Sequence, residues 1–278
     1  MTKVLHENAL KQYERDGYYC PLDVLDAAEV ANYRYALEDY EKRSGQPISG
    51  PARSKSHLLF PWVDELIRLP TVLDAVEDLI GPDILCWNTL WWIKEAHSQT
   101  FVSWHQDSRY WGLDTSELVT AWIALSPAKL EQGCMRVLPG SHIGETLPHR
   151  DEYKEDNLLT RGQAISSPID EAKTRAMELE AGQVSLHNVR IAHASNENRS
   201  DQRRIGLSMH YIPPSARQLA VDWDTASLVR GEDRYHHFTL APRPRHENDP
   251  QAASFHEQAS AAFRDILFKD AERVRSLI

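Results

Sequence analysis

The sequence predicts a mainly β domain, a sandwich or barrel of short strands with helical segments at both ends. Two observations carry this reading. Short segments rich in β-branched and aromatic residues recur from Ile84 to Ile212, as strands require. Turn residues part several of them, at Gly112, Pro127, Gly133, Pro139-Gly140, Gly182 and Pro213-Pro214, with no long helical pattern in between. A parallel sheet would need helical crossovers there.

Residues 1–82 read as helical. Asp26-Ala27-Ala28-Glu29 is a capping box, after which Val30, Tyr33, Leu37 and Tyr40 recur at helical spacing through Arg43. A second helix starts after Pro70, turns Val72, Leu73, Val76, Leu79 and Ile80 inward, and stops at Gly81-Pro82. The predicted strands are Ile84–Trp87, Leu90–Ile93, Phe101–Trp104, Leu118–Leu125, Met135–Leu138, Gln183–Leu186 and Ile205–Ile212. The polar stretch from Asp151 to Ser167 reads as a long loop and a candidate lid. Residues 251–278 read as a helical tail with Phe255, Phe263, Ile266, Leu267 and Val274 inward. No repeat or linker composition interrupts the chain, so a single domain over 1–278 is expected, with a β core at about 84–212.

Composition narrows the class. The 278 residues are 41% hydrophobic and 26% charged, an ordinary globular mixture with ample length for a core. A net charge of −10 argues against broad binding to nucleic-acid phosphates. The longest apolar run, Ile84 to Ile93, contains Asn88 and Thr89 and is too short to span a bilayer. The first eight residues lack the apolar core of a signal peptide, so a cytoplasmic location without membrane attachment is expected. Cys20, Cys86 and Cys134 are odd in number and widely spaced, which fits neither a disulfide framework nor a zinc clip.

Among thirteen histidines, His6, His57, His236, His237, His246 and His256 sit in polar or terminal contexts and read as structural or solvated. His105 and Asp107 differ. They close the apolar segment Phe101–Trp104, and residues i and i+2 of an extended chain project to one face. A third ligand at a strand edge would complete the two-histidine, one-carboxylate face that holds Fe(II) with open positions. His-x-Asp is a weak signal by itself, and His142, His149, His187, His193 and His210 are all candidates for the third place. Small and polar residues after His193 leave room for a metal, and Arg203-Arg204 then enters a strand, where a guanidinium fork would suit a carboxylate.

Four stretches resemble the phytanoyl-CoA dioxygenase family of Fe(II)/2-oxoglutarate oxygenases: Trp104–Asp107, Ala121–Leu125, Gly133–His142 and His193–Arg204. The resemblance implies a double-stranded β-helix, a cupin-like jelly roll that is mainly β with flanking helices. It makes His105, Asp107 and His193 the iron ligands, and it implies 2-oxoglutarate and O2 as cosubstrates. Arg204 would pair with the far carboxylate of 2-oxoglutarate, with the Thr120 hydroxyl beside it. His142 follows a Pro-Gly turn and reads as structural. Halogenating relatives carry a small residue at the position of Asp107, so the resemblance implies hydroxylation here, with release of succinate and CO2.

The substrate side is read more coarsely. Asn88, Lys94, Arg109, Tyr110, His187 and Arg190 are candidate substrate-binding residues, with a strand-end surface position the simpler reading for Lys94. The cationic residues suit a small polar or natural-product substrate with an anionic group, such as an aminoalkylphosphonate. A long acyl-CoA is the alternative, and a non-catalytic jelly roll with a vestigial site or a zinc or manganese cupin are the further ones. No nucleic-acid or membrane partner is expected, and the sequence carries no signal of oligomeric state.

Overall fold

A computed structural model describes residues 2–247 and 249–274. Helix α1 (Glu7–Asp16) leads into strand β1 (Tyr18–Asp23), and helices α2 (Ala27–Ser44), α3 (Pro61–Leu66) and α4 (Pro70–Ile80) follow. Then come β2 (Ile84–Lys94), β3 (Val102–His105), β4 (Val119–Ala124), β5 (Met135–Val137), β6 (His149–Asp151) and β7 (Gln163–Ile165). The second run holds β8 (Arg175–Met177), β9 (Gln183–Asn188), β10 (His193–Ser195), β11 (Arg204–Ile212), β12 (Thr225–Arg230) and β13 (Thr239–Leu240), before helix α5 (Pro250–Phe268). The strands form a seven-stranded sheet, β1-β9-β4-β11-β2-β12-β13, and a four-stranded sheet, β3-β10-β5-β8. Both are antiparallel apart from the terminal β12–β13 pair. This is the jelly roll expected.

Strand alternation decides which face holds chemistry. On β11, Ile205, Leu207, Met209 and Tyr211 join Leu37, Val63, Leu66, Val72 and Val76 in the main apolar cluster, so the helices cover the outer face of the large sheet. The alternate residues Arg204, Ser208 and His210 face a cavity between the sheets, with Gly206 in the same row. Gly206 is required there because a Cβ would sit 1.9 Å from the Trp122 ring, which crosses it from β4.

The capping box on α2 forms as expected, with Asp26 accepting from Ala28 and Glu29 and Glu29 reaching back. Several expectations need correction. The N-terminal part is not wholly helical, because β1 pairs with β9 at the sheet edge. Pro21 lies within β1, where only an edge strand tolerates a residue without an N–H. Ile84–Trp87 and Leu90–Ile93 are one strand running through Asn88 and Thr89. The β core runs past residue 212 into β12 and β13.

The 151–167 stretch is not a free loop. It supplies β7 and the end of β6, which pair as a ribbon, and β7 packs on β3. Phe101 N–H donates to Asp156 O at 2.9 Å, and Asn157 Nδ2 donates to Ser103 Oγ at 2.9 Å. The tail is helical over α5, with Phe263, Ile266 and Leu267 buried, Phe255 half-buried against Trp223 and Val274 exposed. Residues 275–278 of the predicted tail lie outside the described residues. Among the described residues, no helix is long and apolar enough to cross a membrane.

Candidate metal centre

His105 is the last residue of β3, and Asp107 opens the short turn that follows. Gln106 between them is locked: its Nε2 donates to Arg190 O at 2.5 Å and its Oε1 accepts from Leu147 N–H at 2.8 Å. That pinning fixes how the chain leaves the strand and brings the carboxylate beside the imidazole. His193 opens β10 and is the register partner of His105. Directly paired residues share a face, so a residue 88 positions away in sequence faces the same point.

The three ligand atoms lie within 4.8 Å of one another. His105 Nε2 is 3.3 Å and His193 Nε2 3.9 Å from the two Asp107 oxygens. Both Nδ1 atoms donate to backbone carbonyls, His105 to Ser103 at 2.8 Å and His193 to Ile191 at 3.1 Å. Each Nε2 is thereby left as a lone-pair donor aimed at the shared point. Burial raises the Asp107 carboxyl, but the neighbouring imidazoles of His193 and His105 outweigh it and hold the pKa at about 2. Burial lowers His193 to about 4, with His105 adding to the effect. At neutral pH Asp107 is thus a carboxylate and His193 a neutral imidazole, the states a divalent cation needs.

The cavity facing this centre holds about 470 Å³ of empty space, with Trp92, Trp111 and Trp122 among its walls. It contains several buried polar atoms with no partner among the described residues: His105 Nε2, Thr120 Oγ1, His187 Nδ1, Arg204 Nε and His210 Nδ1. Such groups are costly to bury unpaired, and together they describe a polar ligand. Arg204 rests on the Trp122 ring at 5.5 Å, and its Nη1 donates to Gly133 O at 2.6 Å. Burial pulls its pKa down to about 10, which leaves it charged at neutral pH. Fe(II) fits the ligand set, and an acid that chelates it fits a cavity closed by a guanidinium.

The remaining candidates divide. Asn88, His210, Thr120 and His187 form one row across β2, β11, β4 and β9. His187 lines the cavity, whereas the Asn88 Oδ1 accepts from Lys55 N–H at 3.2 Å behind it. Lys94 is fully buried, not on the surface. It pairs in register with Arg204 and donates to Ser195 Oγ at 2.7 Å and to Asn196 O. Burial, with Arg204 adding, lowers its pKa to about 6.

Arg109, Tyr110 and Arg190 do not line the cavity. The turn after Asp107 swings Arg109 to the surface, Tyr110 packs against His149, and Arg190 donates to Gly144 O. His210, weighed in the sequence only as a possible third ligand, instead lines the cavity beside the centre, where its ring lies 4.5 Å from that of Trp111 and burial lowers it to about 4. Its even spacing from Arg204 along β11 was the available signal.

Fold and site together define a class, the non-haem oxygenases that use Fe(II) and 2-oxoglutarate. The chain belongs to the phytanoyl-CoA dioxygenase family, whose profile matches residues 13–206. Among solved structures it is similar to the non-heme monooxygenase ThoJ in its apo form, at 32% identity and a TM-score of 0.84, covering 95% of this chain and 100% of that one. A probable alpha-ketoglutarate-dependent hypophosphite dioxygenase of Stutzerimonas stutzeri is 28% identical over 183 residues, 65% of this chain. The match spans 63% of that relative's length. Human peroxisomal phytanoyl-CoA dioxygenase is 26% identical, covering 83% of this chain and 75% of its own.

Proposed function

We propose that the protein hydroxylates an aliphatic C–H bond of a small molecule, with His105, Asp107 and His193 holding Fe(II) and with Arg204 and Thr120 anchoring 2-oxoglutarate. The observation that carries this is the convergence of two outward-facing Nε2 atoms on one carboxylate, beside a cavity closed by a charged, partly unpaired guanidinium. With both groups bound, the centre supplies the activation of O2 that couples conversion of 2-oxoglutarate to succinate and CO2 with oxidation of the substrate.

The protein's part is placement. The backbone carbonyls of Ser103 and Ile191 hold the two imidazoles in the metal-binding tautomer. Arg204 offers its Nε and the rest of its fork to a carboxylate in a dry cavity, where a charge-assisted hydrogen bond is strong. Thr120 Oγ1, unpaired on β4, is available to the same carboxylate. As a metal ligand Asp107 would take the place that a halide would need, which favours hydroxylation. The relatives' names range from hypophosphite to phytanoyl-CoA, so membership of the family leaves the substrate open.

Anaerobic titration with Fe(II) and 2-oxoglutarate tests the reading. A visible charge-transfer band should appear with one equivalent of each, and Asp107→Ala should abolish it. No band in the unaltered protein, or an undiminished band and undiminished succinate release in the variant, would refute the assignment.

A further inference from the structure

A second cavity borders Asp107, and Arg204 is not among its walls. It spans about 540 Å³, part of it open to solvent, and shares only Trp92, Asp107, Trp111 and His210 with the first. Its far wall comes from α5, through Phe263 and Leu267, and from Leu158 and Leu159 of the ribbon segment. Helix α5 lies beyond residue 206, where the family match ends, so its part of this wall lies outside the shared profile.

The unpartnered polar atoms that line this cavity belong to neutral groups. Ser54 Oγ, Gln163 Oε1 and His210 Nδ1 are buried and without a partner among the described residues. Both cations that reach the cavity are already engaged. The Arg53 guanidinium donates to Trp91 O at 2.8 Å and to Leu158 O at 3.2 Å. Arg161 donates to Asp151 at 2.8 Å, to Leu267 O at 3.1 Å and to Lys269 O at 2.7 Å. An anion entering here would lose its hydration and would compete with those carbonyls and with the Asp151 carboxylate for the guanidinium donors, whereas an alcohol or amide would satisfy the hydroxyl, the amide and the imidazole directly.

Resting on the metal and 2-oxoglutarate assignment above, we propose that this second cavity is the substrate site and that it selects a compact, uncharged molecule, an apolar carbon frame bearing one or two hydroxyl or amide groups. Phe263 and Leu267 set the length of that frame, and Ser54 and Gln163 select the polar group.

The test is a titration of the protein loaded with Mn(II) and saturated with 2-oxoglutarate, followed by the fluorescence of the wall tryptophans. The probes share one frame: 3-phenylpropan-1-ol, 3-phenylpropanamide, 3-phenylpropanoate, 3-phenylpropylphosphonate and 3-phenylpropylammonium. The alcohol and the amide should bind at least tenfold more tightly than the three ions. Ser54→Ala and Gln163→Leu should each weaken the alcohol three- to tenfold, and Phe263→Leu should shift preference toward 5-phenylpentan-1-ol. Equal or tighter binding of an ion, indifference to these substitutions, or no binding by any probe would overturn the proposal. The affinity for 2-oxoglutarate is read in the same samples. Its loss with the alcohol still seated on these residues would sink the metal-site assignment alone, and its retention with no discrimination among probes would sink this proposal alone.

Discussion

His193 stands directly opposite His105 across the β3–β10 pair, with ring centroids 4.1 Å apart and Asp107 within reach of both. The metal site is thus a cross-strand pair plus the first residue of a turn, and its geometry depends on strand register as much as on ligand identity. His193→Ala should leave the fold intact, since the side chain faces a cavity, yet weaken metal binding by more than the ten- to hundredfold that loss of an outer partner costs. Iron stoichiometry after gel filtration, alongside an unchanged circular dichroism spectrum, checks it. Stoichiometric iron in the variant would place the third ligand elsewhere.

Arg204 makes a different prediction because the proposed function assigns it to the cosubstrate and not to the metal. Replacing it with Met removes a charge-assisted fork worth about 1.5–3 kcal/mol, so the KM for 2-oxoglutarate should rise roughly ten- to hundredfold while Fe(II) affinity stays put. Arg204→Lys should recover only part of that, because a point charge cannot reproduce a planar fork. Steady-state succinate formation across 2-oxoglutarate concentrations separates these outcomes. A KM for 2-oxoglutarate unchanged in both variants would remove Arg204 from the cosubstrate site.

Much of this site was legible in the sequence, and the parts that were not share a cause. His105, Asp107, His193 and Arg204 stand in short motifs whose local chemistry is readable, and the cavity gathers all four. What a linear reading cannot supply is which strand lies beside which. Arg109 follows Asp107 by two residues yet points outward, because the backbone has left the strand for a turn. Lys94 looked like a surface residue because the register that sets it opposite Arg204 is a long-range fact. β1 was hidden by Pro21, which is tolerated only because β1 is an edge. The role of α5 was half legible: its apolar spacing showed the helix, but not that Phe263 and Leu267 border the cavity.

Gly206 tests whether the inner face is as tightly packed as it looks. An added methyl would collide with the Trp122 indole, which lies under the Arg204 guanidinium. Gly206→Ala should therefore cost about 1–3 kcal/mol of stability through overpacking. It should also raise the KM for 2-oxoglutarate, since Arg204 loses its ring support. Urea unfolding and steady-state kinetics on the same preparation check both halves. A variant of unchanged stability would show that Trp122 is free to move.

Acid should unfold the metal-free protein well above the pH at which carboxylates titrate. Burial lowers His193 and His210 to about 4 and pushes His57 and His187 well below their ordinary value. In the unfolded chain these imidazoles take up protons near pH 6.5, but in the folded protein His193 and His210 do so only near pH 4, and His57 and His187 well below the ordinary value. Below pH 6.5 the unfolded state therefore binds more protons, so the histidines' contribution is complete only above that pH and is lost as the pH falls. Each histidine contributes a slope of about 1.4 kcal/mol per pH unit. Lys94 does not steepen the decline below pH 6, because its folded-state pKa of about 6 means both states are protonated there. Asp107, held at about 2, acts only below the ordinary carboxylate range. His193 and His210 alone remove roughly 3 kcal/mol between pH 6.5 and 5, a large share of the stability of a typical domain, and His57 and His187 act in the same direction. Urea midpoints at pH 7.5, 6.5, 5.5 and 5.0 should fall gently over the first step, where only the neutral Lys94 of the folded state is lost to protonation, and then steeply as the histidines join. Equal midpoints at 6.5 and 5.0 would mean that these imidazoles are solvated and that the dry inner face is not as drawn.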